Sequence, residues 1–313
     1  MNKNSKIIIP GAAGLVGQNL IVMLKERGYS NIVAIDKHEY NIAILKTLHP
    51  DVKVITADVA ESGSWADSFE DGQVLIMLQA QITGKSSDPF IRNNIIATEK
   101  ILNAARKYNI PYIVHISSSV VISVADDDYT NTKKVQEKMV ADSGFKYCAL
   151  RPTLMFGWFD KKHLGWLSRF MERVPVFPIP GEGKYLRQPL YVRDFCGVII
   201  KAMENQPNDR IYDIIGRENI DYIDIIRTIK KVKKLKTLIL NIPYNMFYYL
   251  LKIYALFSAK PPFTADQLKA LTAGDKFEVF AWWNEFAVEP IPFEQAMRET
   301  HLHPVYSKYI LKP

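Results

Sequence analysis

Tyr129 and Lys133 stand four residues apart in Tyr129-Thr130-Asn131-Thr132-Lys133, so on a helix they share one face. An ammonium beside a phenol stabilises the phenolate, lowers its pKa and makes the tyrosine a usable proton shuttle near neutral pH. The spacing alone describes an ordinary solvated helix face. What lends it chemistry is Ser117-Ser118-Ser119, directly after the apolar run 112–116. A serine at the end of such a strand points into the crevice where parallel sheets bind ligands. Asp126, Asp127 and Asp128 precede the tyrosine and read as a helix N-cap and first turn, where the macrodipole favours negative charge.

Something must hold those groups against a ligand, and the first residues say what. Lys6-Ile7-Ile8-Ile9-Pro10 is a short apolar strand, and it runs into glycines at 11, 14 and 17, spaced G-x-x-G-x-x-G. An amphipathic segment follows at once, starting Leu15-Val16-Gly17. Such glycines allow a tight turn, close backbone approach to a pyrophosphate, and close helix–strand packing, with phosphate seated at a helix N-terminus. Asp36 ends the next strand, where a carboxylate accepts both ribose hydroxyls of NAD and repels a 2′-phosphate. The pattern predicts a dinucleotide site for NAD.

The first half alternates β-branched runs (6–9, 31–35, 52–56, 74–78, 112–116 and 146–150) with helical patterns, the longest over 89–108. That alternation predicts an α/β fold with a doubly wound parallel sheet of the Rossmann type. After Arg151 the alternation loosens into proline-rich turns and helix-like segments. The expected division is a dinucleotide-binding region over 1–155 and a smaller α/β substrate region over 156–313, interleaved with the first and laid over the carboxyl edge of the sheet.

The order of these motifs resembles the extended short-chain dehydrogenase/reductase family, and within it the NAD-dependent epimerase/dehydratase group that acts on nucleotide sugars. The likeness covers the chain from Lys6 to about Met203. It implies cofactor contacts from Gly11, Gly14, Leu15, Val16, Gly17, Asp36 and the adenine-side pair Asp58-Val59. Leu78-Gln79-Ala80 and Asn94 stand where the family lines its cofactor cleft. Ser117, Tyr129, Lys133 and Arg151-Pro152-Thr153 stand along the nicotinamide half. The resemblance assigns Ser118, Tyr129 and Lys133 as catalytic, with Ser119 and Arg187 joining Ser118 and Tyr129 on the substrate. Arg187, in Arg187-Gln188-Pro189-Leu190-Tyr191, suits a phosphate clamp because a guanidinium is planar, bidentate and always charged.

Departures from the family pattern narrow the reaction. Family dehydratases carry Asp-Glu immediately after the catalytic hydroxyl, whereas this chain has Ser119-Val120, with no acid to protonate a leaving hydroxyl. Val121-Ile122-Ser123 replaces the family's Val-Tyr-Gly, and the interval from Ser118 to Tyr129 is short. The expected activity is therefore C4 epimerisation of a UDP-sugar through a 4-keto intermediate. The alternatives are an NAD(P)H-dependent 4-keto-sugar reductase of surface-polysaccharide synthesis, with the same residues, and a catalytically silent NAD-binding subunit, which would need none of them. The family habit implies a homodimer.

Composition bounds the rest. The chain has 313 residues, 48% hydrophobic and 23% charged, with a net charge of +7. Cys148 and Cys196 lie far apart, the histidines show no ligand spacing, and no metal site is expected. The N-terminus has no signal-peptide pattern, so the expected compartment is the cytoplasm. Nucleic acid is excluded as a partner because the basic residues are not interleaved with a recognition motif. Six cations crowd 227–236 and an aromatic and aliphatic stretch fills 237–259. The stretch reads as a lysine face and a helix packed on the substrate region, with attachment to an anionic membrane surface as the lesser reading. Phe280-Ala281-Trp282-Trp283 reads as packing or an oligomer contact.

Overall fold

Ile7 and Ile9 pack into one apolar cluster while Ile8, between them, packs into another. The same sorting repeats at Ile32 and Ala34 against Val33 and Ile35, and at Val74 and Ile76 against Leu75 and Met77. Successive residues of a strand point to opposite faces, so strands apolar at every position must be covered on both sides. The computed structural model, which describes residues 1–257, 268, 271, 272 and 277–312, shows this arrangement.

The central sheet uses β1 (Lys6–Pro10), β2 (Ile32–Asp36), β3 (Lys53–Thr56), β4 (Gly72–Met77), β5 (Ile113–Ile116), β6 (Tyr147–Pro152) and a seventh strand, Arg210–Ile214. All neighbours are parallel, in the order seventh strand-β6-β5-β4-β1-β2-β3. The chain winds outward from β1 in one direction to β3 and in the other through β4. The crevice between β1 and β4 at the carboxyl edge is therefore the topological switch point, where open α/β sheets bind their ligands.

Helix α1 (Leu15–Glu26) packs on one face against the helix Val192–Asn205. On the other face lie the helix Asp88–Lys107, which is π-wound over Ile91–Ile96, and the helix Asp128–Ala141 that carries Tyr129 and Lys133. The six strands expected from the first half are all present, with ends shifted by no more than two residues. The seventh was not expected: Arg-Ile-Tyr-Asp-Ile alternates and sits at the sheet edge, so it lacks the unbroken apolar run of its neighbours. With the helix Val192–Asn205, it brings the second half of the chain back into the sheet layers.

The remaining elements form a smaller α/β cap from the helix His163–Arg173, the parallel pair Val176–Pro180 with Leu238–Ile242, and the helices Tyr222–Lys233 and Tyr244–Phe257. The lysine-rich helix buries Ile225, Ile226, Ile229 and Val232, while Lys231 pairs with Glu294 at 2.7 Å and Lys233 with Glu172. Helix Tyr244–Phe257 is mixed: Phe247 is buried, but Met246, Tyr249 and Ile253 are at least half exposed. Among the described residues no helix is long and apolar enough to cross a membrane. Trp282 is fully buried and its indole N–H donates to the Ile215 carbonyl, so this residue serves packing, while Phe280 is exposed.

Candidate active site

Gly11 has φ +80°, and a Cβ built on it would lie 2.6 Å from the Gln79 backbone nitrogen. A Cβ on Gly17 would lie 2.3 Å from the Ala12 carbonyl oxygen. These two glycines let the turn close on the end of β4 and let α1 dock on the turn. Gly14 is the N-cap of α1 and offers no side chain, which leaves the first-turn N–H groups at Leu15 and Val16 without a capping partner from the protein's own side chains. Asp36 Oδ2 accepts from the Ala13 N–H at 2.9 Å and Oδ1 from the His38 N–H at 3.0 Å, fixing the carboxylate beside the glycine turn. Asp58, next to buried Val59, holds Lys37 at 3.0 Å and Arg92 at 2.5 Å, and those cations and its own accepted hydrogen bonds hold its carboxyl below the usual range despite partial burial.

Past β4, Leu78 donates its N–H to the Pro10 carbonyl, and Gln79 begins a buried polar chain. The Gln79 and Gln136 amides both donate to Thr98 Oγ1, and Lys133 Nζ donates to Gln136 Oε1 and, at 2.9 Å, to the Ile116 carbonyl. Asn94, in the π-wound turn, accepts from the Gln81 N–H at 2.7 Å and donates to Thr132 Oγ1 at 3.0 Å, tying the loop after Ala80 to the Tyr129 helix. Thr98 closes the segment Asn94-Ile95-Ile96-Ala97-Thr98 that carries part of the family resemblance, whereas Thr132 and Gln136 were not expected at the site. Their only signal is helical register with Asn94 and Lys133.

Several buried polar atoms along this edge have no protein partner: Gln79 Oε1, Ser117 Oγ, Thr153 Oγ1 and both ring nitrogens of His115. Buried polar groups are almost always satisfied, so a set of orphans beside a glycine cradle fits a polar ligand. The residues present therefore suit a bound dinucleotide.

Asp127 caps the Tyr129 helix, accepting from the Thr130 N–H at 2.8 Å, as the acidic run suggested. Ser118 is buried and caps the short turn Ser119–Ile122. Hydrogen bonding with Ser118 favours the phenolate of Tyr129 and lowers its pKa. Burial outweighs it, with Asp127 adding to the rise, so the net shift is upward. This differs from the lowered phenol expected of the Tyr/Lys spacing. The reason is that Lys133, 1% exposed, is itself pushed down to about 7 by burial and spends its donors on Ile116 and Gln136.

Arg151, expected along the nicotinamide, has its guanidinium taken up by Glu137 through two hydrogen bonds and by Asp213 at 3.7 Å. It clamps β6 to the Tyr129 helix and to the seventh strand, while Pro152 and Thr153 continue the strand end beneath the crevice. Arg187 and Ser119 border one large cleft of about 1750 Å³, which begins beside Ser119 and Thr153 and extends under the cap. Arg187 also donates to the Leu271 carbonyl. Among the described residues no cluster of three or more potential metal ligands occurs.

The parallel sheet and the glycine turn at its switch point are those of a dinucleotide-binding fold. Residues 7–214 match the model of the NAD dependent epimerase/dehydratase family, and the chain belongs to that family. It is 27% identical over 227 residues to the sterol-4-alpha-carboxylate 3-dehydrogenase (decarboxylating) of Schizosaccharomyces pombe, an alignment spanning 66% of each chain. It is 25% identical over 227 residues to a 4-hydroxy-2-methyl-3-oxo-4-farnesyl-3,4-dihydroquinoline-1-oxide ketoreductase of Stigmatella aurantiaca, covering 66% of this chain and 67% of that one. The chain thus spans about two thirds of the length of these curated relatives. Among solved structures it resembles UDP-glucuronic acid 4-epimerase from Bacillus cereus in complex with NAD, with a TM-score of 0.70, 19% identity, and 94% and 96% of the two chains covered. At that identity the likeness is one of fold.

Proposed function

We propose that this chain moves a hydride between NAD and the carbon of a secondary alcohol or its ketone, with Tyr129 as proton donor and acceptor. The observation that carries the reading is the meeting of Ser118 with Tyr129 at the sheet edge, with Lys133 in the next turn of the same helix. When bound, NAD supplies or accepts the hydride. Tyr129 exchanges a proton with the substrate oxygen. Ser118 donates a hydrogen bond to that oxygen as charge develops on it. Because burial raises the phenol, Tyr129 rests protonated at neutral pH, which suits protonation of a ketone oxygen in the reductive direction. The names of the two curated relatives, a ketoreductase and a 3-dehydrogenase, accord with hydride transfer of this kind.

C4 epimerisation of a UDP-sugar through a 4-keto intermediate is a special case of the same chemistry, run in both directions. Its support is the fold shared with UDP-sugar epimerases and the position of Arg187 on the cleft, where an anionic head group could be gripped. Retention of Ser118, Tyr129 and Lys133 speaks against a silent binding subunit. The test is Tyr129→Phe. Turnover, followed as NADH change or as C4 epimer by proton NMR with UDP-glucose and UDP-N-acetylglucosamine, should fall about 10²- to 10⁴-fold, with NAD affinity retained. A variant as active as the parent refutes the assignment.

A further inference from the structure

We propose that the substrate entering this cleft has an extended apolar body, a fused-ring or isoprenoid-like skeleton carrying the reacting hydroxyl or keto group. The inference rests on the oxidoreductase reading for the reacting carbon, and on the cleft walls for everything else.

Ser119, which directly follows Ser118 in the chain, and Thr153 line the cleft. Its apolar walls are Ile122, Leu167, Phe170, Phe177, Phe247 and Leu250, drawn from the short loop after β5, from two cap helices and from a cap strand, while Lys161, Lys162 and Arg187 put cations on the same cleft. Leu167, Phe177 and Phe247 lie on its floor at 8% exposure or less, whereas Ile122 and Leu250 stand on its rim at 53% and 49%. Val124 and Trp166, on the same cleft, are 102% and 38% exposed. An apolar wall that continues out to a bare apolar rim is the surface a hydrophobic ligand covers.

A nucleotide's diphosphate would find cations at Lys161, Lys162 and Arg187, but its base meets the apolar part of these walls badly. A uracil ring presents two carbonyls and an N–H, and each polar group buried without a partner costs about 1–3 kcal/mol. A hydrocarbon skeleton in the same place gains about 25 cal/mol for every Å² it removes from water. The two departures from the family pattern point the same way. Val121-Ile122-Ser123 and the short interval before Tyr129 replace an aromatic and a longer loop with aliphatic side chains, and Ile122 is one of the cleft walls.

The test uses the full chain with NAD present. Dehydroergosterol is a fused-ring probe that accepts energy from tryptophan, and Trp166 lies on the cleft, so transfer from the wild type and its loss in Trp166→Phe reads occupancy. Farnesol and UDP-glucose serve as competitors. Saturable transfer that UDP-glucose leaves unchanged supports the proposal, and displacement by farnesol distinguishes a chain-tolerant cleft from a ring-specific one. Ile122→Glu and Leu250→Glu, both at exposed positions, should weaken the probe at least 10-fold and leave NAD binding unchanged. No binding of either apolar compound, displacement of the probe by UDP-glucose, or undiminished binding in both variants overturns it. If the apolar probe binds but no alcohol or ketone is ever turned over, the oxidoreductase reading falls and the cleft assignment stands.

Discussion

Lys133 is the most consequential single side chain to perturb, because it is charged chemistry placed where charge is expensive. Burial brings its ammonium down to about 7 from an ordinary 10.5, and Glu137 offsets only part of this. At 1.36 kcal/mol per pH unit, the charged form carries a penalty of about 5 kcal/mol in the folded state. The sign follows from proton counts. Between pH 7 and 10.5 the unfolded chain holds this proton and the folded chain does not, so folding stability rises with pH across that window. Below pH 7 both states hold it and the full penalty applies. Lys133→Met removes the titration. It also strips donors from the Ile116 carbonyl and from Gln136 Oε1, a loss that does not vary with pH. The expected result is a wild type that gains about 5 kcal/mol on the variant between pH 6 and 10.5, with most of the change above pH 7. Urea denaturation of both proteins, stripped of cofactor and measured at half-unit pH steps, reads the difference directly. Parallel curves would show that Lys133 keeps an ordinary pKa, and would remove the explanation given for the raised Tyr129 phenol.

Other expectations follow from the same geometry. Gly11→Ala should cost about 2 kcal/mol or more and weaken NAD binding, because the methyl meets both an unfavourable φ and the β4 end; thermal melts with and without NAD check it. Gly28→Ala is its control: φ is +81° but nothing lies within 4 Å, so it should cost about 1 kcal/mol and leave NAD binding intact. Equal effects of the two would mean that the β4 contact is unimportant. Arg151→Leu leaves Glu137, 11% exposed, without its partner and should destabilise the fold by about 3–5 kcal/mol. Adding Glu137→Leu should recover most of that loss in a denaturation series. Failure of the double variant to recover would place the value of Arg151 outside the clamp.

The parts of the site that were legible in the sequence are those encoded within one turn or one strand. Gly11, Gly14 and Gly17 declare a tight strand-to-helix turn because each does so locally. Asp36 and Ser118 declare themselves by ending apolar strands, and Asp127 by standing just ahead of a helix. Lys133 shows what local reading misses. Its four-residue spacing from Tyr129 places both on one helical face, yet its fate is set by Ile116 on β5 and by the Gln79–Thr98–Gln136 chain. Those groups meet only because β4, β5 and two helices converge. Arg151 behaves likewise: the Arg-Pro pair marks the strand end, but the Glu137 that captures the guanidinium lies fourteen residues earlier.

The cleft is the extreme case of this division. Its walls come from short segments between residues 119 and 277 that are individually unremarkable, a valine in a loop here and a phenylalanine on a helix there. The residues proposed to meet NAD and to move the proton are concentrated in motifs because that chemistry is common to the whole family. The residues that meet the substrate body are scattered because each need only be apolar and face inward, a requirement with no fixed spacing. A family resemblance built on motifs therefore carries the reaction type much better than the substrate. That is why the sugar expected from the motifs and the hydrocarbon favoured by the walls can disagree within one chain, and why the binding comparison between dehydroergosterol and UDP-glucose decides between them where motif matching cannot.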